Sequence, residues 1–166
     1  MPKVRVATAQ YRVQNDVQAN LQKLLGFIDK AADGGAQLVV TPEFGNHTAF
    51  YADEEEAKRV AVKLDDEYVG AIKKKARERN IHVVFNSPCH DGDVLRLRNF
   101  LVGPDGEIIG TNDKQVLMGG EREHIQGSAL PGKVFETSIG RIGLYSCLDG
   151  VFTETSRCLA LEGAQI

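Results

Sequence analysis

The run Leu38-Val39-Val40, apolar at every position and closed by Thr41-Pro42, constrains this chain more than any other stretch. A strand with one face in water alternates apolar and polar residues, whereas a strand apolar throughout is buried on both faces, as parallel strands between layers usually are. Proline then ends it, because it brings no N–H to the ladder. The flanking sequence supplies the layers. Upstream, residues 3 to 10 read as a first strand, and Val17, Leu21, Leu24, Ile28 and Ala31 recur at helical spacing before the Gly34-Gly35 stop. Asn15 with Gln18 predicts a capping box at the start of that helix. Downstream, two helices are predicted, about 53 to 64 and 66 to 79, followed by a strand in Ile81-His82-Val83-Val84-Phe85-Asn86. Strands alternating with helices in this way predict an α/β fold.

From Leu95 the chain reads as strands. Pro104-Asp105-Gly106 between two alternating segments predicts a hairpin, and a second turn near 138 to 140 leads into a strand expected to reach Cys147. Beyond it Phe152, Thr155, Cys158, Leu159 and Glu162 fall at helical spacing. Cys147 therefore lies where a strand turns into a helix. Such a turn exposes its side chain, and the positive end of the helix dipole with its free N–H groups favours a thiolate. The Leu148 N–H would stand where an oxyanion could form.

A reactive thiol needs a proton acceptor and a group that stabilises charge. Glu43, just past the buried strand, and Lys114, after the hairpin, have the placement; a plain buried ion pair between them is the alternative. His47, His82, His90 and His124 read as satisfied surface or core histidines, and Cys89 and Cys158 as small hydrophobes. The acidic run 53 to 56 and the basic residues between 73 and 79 read as solvated helix ends that complement the helix dipoles.

Composition narrows the function classes. The 166 residues, 42% hydrophobic, suit one domain covering 1–166, and a net charge of −3 lacks the clustered basic excess that nucleic acid requires. No apolar run is long enough to span a bilayer, and the start of the chain lacks the blocks of a signal peptide. Three widely spaced cysteines form neither a disulfide framework nor a zinc site and agree with a reducing, cytoplasmic setting.

Three motifs in order along the chain resemble the carbon-nitrogen hydrolase superfamily of nitrilases and amidases: "LVVTPEF", "GPDGEIIGTNDKQVL" with Asn99 upstream, and "GRIGLYSCLDGVFTE". The resemblance implies a four-layer α-β-β-α sandwich, with further strands and helices beyond Ile166. It implies Glu43 as general base, Lys114 as the group that stabilises charge and Cys147 as nucleophile, acting on a small-molecule amide or nitrile with no metal or organic cofactor. A second glutamate that holds the lysine would be Glu121 or Glu123; Glu121 is favoured, because "GER" with Gly127 six residues on resembles the nitrilase branch. Relatives commonly form homo-oligomers. The departures "NDKQVL" around the lysine, and Val151 where relatives carry arginine, point to an uncommon substrate. They also motivate a second reading, a binding or assembly module of the same fold without turnover.

Overall fold

The computed structural model describes residues 3–166. Strands β1 (Val6–Thr8), β2 (Leu38–Val40) and β3 (His82–Asp91) run parallel, and β4 (Val94–Val102) and β5 (Ile108–Asp113) continue the same five-stranded sheet antiparallel, in the order β1-β2-β3-β4-β5. The apolar run is thus the parallel strand expected, with β1 on one side and β3 on the other.

Helices α1 (Val17–Asp33) and α3 (Glu67–Arg79) cover one face. Leu21, Leu24, Ile28 and Ala31 of α1 meet Val69, Ile72 and Ala76 of α3 over Val39, Val83, Phe85, Phe100 and Val102 of the sheet. Phe85 and Phe100 face each other across β3 and β4 with ring centroids 4.4 Å apart. The basic residues ending α3 do more than complement its dipole, since Lys75 reaches Asp29 at 2.9 Å and Arg79 pairs with Asp29 and Asp33, stitching α3 to α1. The cap of α1 is Asp16, whose side chain accepts from Ala19 N at 2.9 Å, rather than the expected Asn15 with Gln18. Asn15 instead accepts from the Thr48 hydroxyl, so it is spent on a tertiary contact.

Alternate residues on the other face, Leu38, Val84 and Leu101, pack on Ile142 and Leu144. Ile142 belongs to a second, two-stranded sheet of β6 (Val134–Thr137) and β7 (Gly140–Gly143), which Leu144 directly follows and along which residues 165 and 166 also hydrogen-bond. Helix α5 (Thr153–Leu161) lies on its outer side, with Leu159 against Gly143. The layers run helix, sheet, sheet, helix, the α-β-β-α order implied by the resemblance. Helix α2 (Glu54–Val60) and the one-turn α4 (Glu121–His124) flank the end of the main sheet where β2 and β5 terminate.

Several boundaries differ from the sequence reading for identifiable reasons. α2 stops at Val60, because Val62 turns extended and bridges Cys89 on the edge of β3 beyond the end of β2. β3 runs on to Asp91, taking in His90, before the Gly92-Asp93 turn, where Gly92 has φ +61°. β7 ends at Gly143, since the Leu144 carbonyl is taken by the Asn112 side chain at 3.0 Å instead of by a neighbouring strand. The helix expected after Cys147 is split into a 3₁₀ turn, Cys147–Gly150, and α5; on α5 only Leu159 is buried, and Cys158 is exposed rather than a core hydrophobe. Cys89 is buried as expected, its thiol pushed up to about 11 by burial, against the opposing charge of Arg98. Among the described residues no helix is long and apolar enough to cross a membrane.

His82 ties the layers at the start of β3. Its Nδ1–H donates to the Gln37 carbonyl at 3.1 Å, and Nε2 faces the Ser138 hydroxyl at 3.5 Å. Burial holds its pKa below the usual histidine value, although the Gln37 bond and Asp105 act the other way. A histidine kept neutral in the fold binds its proton more readily when unfolded. Its contribution to stability is therefore complete above about pH 6.5 and falls away as the pH drops through the lowered folded value. The melting temperature should decline on acidification from neutrality, and less steeply in His82→Gln; equal slopes in the two proteins would refute the assignment.

Candidate active site

Glu43 follows β2 by three residues in a loop pinned from several sides. Thr41 N donates to the Val84 carbonyl, Gly45 N to the Asn86 carbonyl at 3.0 Å, and Tyr11 OH to the Gly45 carbonyl at 3.2 Å. Gly45 admits that approach because a Cβ there would meet Tyr11 Oη at 3.1 Å and the Pro42 carbonyl at 3.2 Å. Phe44 adopts φ +53°, unusual for a bulky residue, with its ring buried among Ala57, Leu95, Leu97, Leu117 and Ile125. Farther along the loop, buried Asn46 donates to the Val60 carbonyl at 2.7 Å and receives Asn20 of α1 on its own carbonyl at 2.9 Å.

Lys114 follows β5 directly and is fully buried. Its Nζ donates to Glu43 Oε1 at 2.8 Å and to both oxygens of Glu121 at 2.9 Å. Glu121, at the head of α4, also accepts from Met118 N at 2.9 Å. Burial works against the ammonium, but the hydrogen bonds and charges of the two glutamates outweigh it and hold the Lys114 pKa above the ordinary lysine value. Of the two glutamates weighed as partners of the lysine, Glu121 makes the contact and Glu123 is exposed.

Cys147 opens the 3₁₀ turn with φ +45° and an exposed side chain. Its thiol is near enough to the Glu43 carboxylate and the Leu148 N–H to be influenced by both. Two carboxylates with one ammonium leave the cluster one negative charge in excess, so the thiol is pushed up, first by partial burial and then by Glu43. The helix start expected to favour a thiolate is thus only one part of the balance. The Leu148 N–H and Lys114 do favour the anion, but they are outweighed. At rest the raised thiol keeps its proton, with the Glu43 carboxylate as the neighbouring acceptor.

The turn itself is tied to the lysine loop by Asp149. Its buried carboxylate accepts from Gln115 N at 3.1 Å and Val116 N at 2.8 Å, and it forms a reciprocal capping box with Ser146. Sequence reasoning missed a row of amides, Asn86, Asn99 and Asn112, in register across β3, β4 and β5 on the face toward the second sheet. Polar residues at inward positions of otherwise apolar strands are the signal that could have found them. The histidines stand apart from this cluster: His47, His82 and His90 bond main-chain carbonyls, and His124 packs edge-on against Tyr51. Among the described residues no group of three or more His, Cys, Asp or Glu is placed to hold a metal ion.

The chain is similar to known proteins over nearly its whole length. A nitrilase from Pyrococcus abyssi (strain GE5 / Orsay) is 32% identical over 165 residues, covering 98% of this chain and 63% of the relative. A citrullinase from Francisella tularensis subsp. tularensis (strain SCHU S4 / Schu 4) is 28% identical over 172 residues, covering all of this chain and 60% of the relative. The solved NitN amidase from Neterenkonia sp. AN1 aligns with a TM-score of 0.83 at 25% identity, over 98% of this chain and 64% of its own. A mutant of the Nesterenkonia sp. AN1 amidase, with the acetamide moiety of fluoroacetamide covalently added at its active-site cysteine, aligns with a TM-score of 0.82 at 25% identity, over 98% and 62%. The chain spans a little under two thirds of the length of these relatives. Since residues 5–166 also match the family model for carbon-nitrogen hydrolase, the chain belongs to the carbon-nitrogen hydrolase family.

Proposed function

We propose that this chain carries the catalytic centre of a thiol hydrolase that cleaves a non-peptide carbon-nitrogen bond, in a small amide or nitrile, through a thioester on Cys147. The observation that carries the reading is the convergence of the Cys147 thiol, the Glu43 carboxylate and the buried Lys114 ammonium from three separate segments. Membership of the family and likeness to an amidase, a mutant of which carries the acetamide moiety of fluoroacetamide on its active-site cysteine, support it.

The steps follow from the protonation states. Glu43 takes the thiol proton as Sγ bonds to the amide carbon, so the thiolate exists only as it attacks. Negative charge develops on the former carbonyl oxygen, where the Leu148 N–H and Lys114 Nζ are the available donors. Glu43 then passes its proton to the nitrogen, the carbon-nitrogen bond breaks, and ammonia or an amine leaves a thioester. Water, giving a proton to Glu43, attacks that carbon; the carbon-sulfur bond breaks, the acid departs and the proton returns to sulfur. A nitrile enters one step earlier as a thioimidate, which adds water and loses ammonia to reach the same thioester. Lys114 and Glu121 stay paired throughout, so the lysine stabilises charge without giving up a proton.

A thioester can be intercepted. With hydroxylamine added to a working mixture of short amides, the acyl group should leave as a hydroxamate while ammonia release continues and free acid falls in proportion. Ammonia release that yields acid and no hydroxamate would refute the covalent route.

A further inference from the structure

We infer that Asn86 is a positioning residue that clamps the Glu43 loop to the Cys147 turn, and so sets the distance over which the thiol proton moves; the inference rests on the reading of Glu43 and Cys147 given above. Its side chain lies between the two segments. Oδ1 accepts from Phe44 N, directly after Glu43, at 2.8 Å. Nδ2 donates to Ser146 Oγ, directly before Cys147, at 3.2 Å, and to Asn99 Oδ1 at 2.9 Å. Ser146 Oγ donates in turn to Asn99 Oδ1 at 2.8 Å and accepts from Asp149 N in the capping box. Asn86, Asn99 and Ser146 are 4%, 4% and 6% exposed, so these bonds form without competition from water.

The backbone explains why a clamp is needed. Phe44 and Cys147 both sit at positive φ, 53° and 45°, a conformation that neither residue type favours and that the surroundings must maintain. Asn86 holds the N–H of Phe44 itself and the hydroxyl of Ser146, the residue before Cys147. Only a planar amide serves both sides, because it offers an acceptor to Phe44 N and donors to Ser146 and Asn99 from one rigid group. An aspartate would lose the donors, a serine is too short, and leucine fills the space with no polar contact.

The test compares Asn86→Leu, Ser146→Ala and Ser87→Ala with the parent protein, reading kcat, KM, melting temperature and the rate at which fluoroacetamide labels Cys147. Ser87 neighbours Asn86 and is buried, but among the described residues its hydroxyl bonds the adjacent Pro88 carbonyl alone, so it controls for disturbance of β3. Misplacement of reacting groups by about 1 Å costs on the order of 10²-fold in rate. Asn86→Leu should therefore lower kcat and the labelling rate together by about 10- to 100-fold with KM nearly unchanged. Ser146→Ala, which deletes one oxygen and tests the clamp even if Asn86→Leu does not fold, should lower both by a smaller factor, and Ser87→Ala should lower neither. If Asn86→Leu or Ser146→Ala shifts only the melting temperature, the clamp is refuted while the catalytic reading stands. If Glu43→Gln also leaves labelling and turnover unchanged, the underlying reading fails instead.

Discussion

Cys147→Ala should reduce amide or nitrile turnover to the uncatalysed background, a loss of at least about 10⁴-fold, without measurable loss of fold. The nucleophile cannot be replaced by anything nearby, since the other thiols lie elsewhere, Cys89 in the core beside Arg98 and Cys158 exposed on α5. Stability should hold because the Cys147 side chain is exposed and contributes little to the core. Its φ of +45° suits alanine no worse than cysteine, as both carry a Cβ. Cys147→Ser should fall nearly as far: the hydroxyl keeps the geometry, but Glu43 is too weak a base to draw a proton from it. Substrate binding should persist in both variants, so calorimetric titration with an amide should still give a signal. Turnover in Cys147→Ala within tenfold of the parent would rule out the thioester on Cys147, whereas a parent protein with no turnover of amides or nitriles would leave the fold to a binding or assembly role.

The parts of this site that could be read from sequence are those that local chemistry dictates. Leu38-Val39-Val40 announced a two-sided strand, and its end at Pro42 placed Glu43. Gly106, with φ +79° and a Lys73 carbonyl 2.7 Å from where its Cβ would be, marked the hairpin that delivers Lys114. What stayed hidden depends on distant partners. The helix start that favours a Cys147 thiolate is visible in the chain, whereas the excess negative charge of Glu43 and Glu121 over Lys114, which opposes it, arises only when three separate segments meet. The row Asn86, Asn99 and Asn112 is likewise a product of strand register, which no single segment reveals. α4 escaped notice because a single turn has no periodicity to read; its place is set by Glu121 reaching Lys114 and by buried Ile125.

Lys114→Met should have the largest effect on stability of any single change at the site, and it should abolish activity as well. The side chain is fully buried and its three contacts go to carboxylate oxygens. Methionine matches its volume, so packing is kept while the charge is lost. Glu121, only 9% exposed, would then hold a buried carboxylate with no cation beside it. Breaking a buried pair from one side costs about 3 to 5 kcal/mol, most of it the stranded charge rather than the lost attraction. The double variant Lys114→Met with Glu121→Gln removes that charge and should recover a good part of the stability by chemical denaturation, yet none of the turnover. Such a separation assigns the stability effect to the Glu121 pair and the catalytic effect to the ammonium itself. In the parent protein the raised Lys114 pKa means that its contribution is complete below about pH 10.4 and is lost only as the pH climbs through the higher folded value. Stability profiles of parent and Lys114→Met should therefore converge at strongly alkaline pH. Equal stability of the two proteins at neutral pH would show that the buried ammonium does not hold this site together.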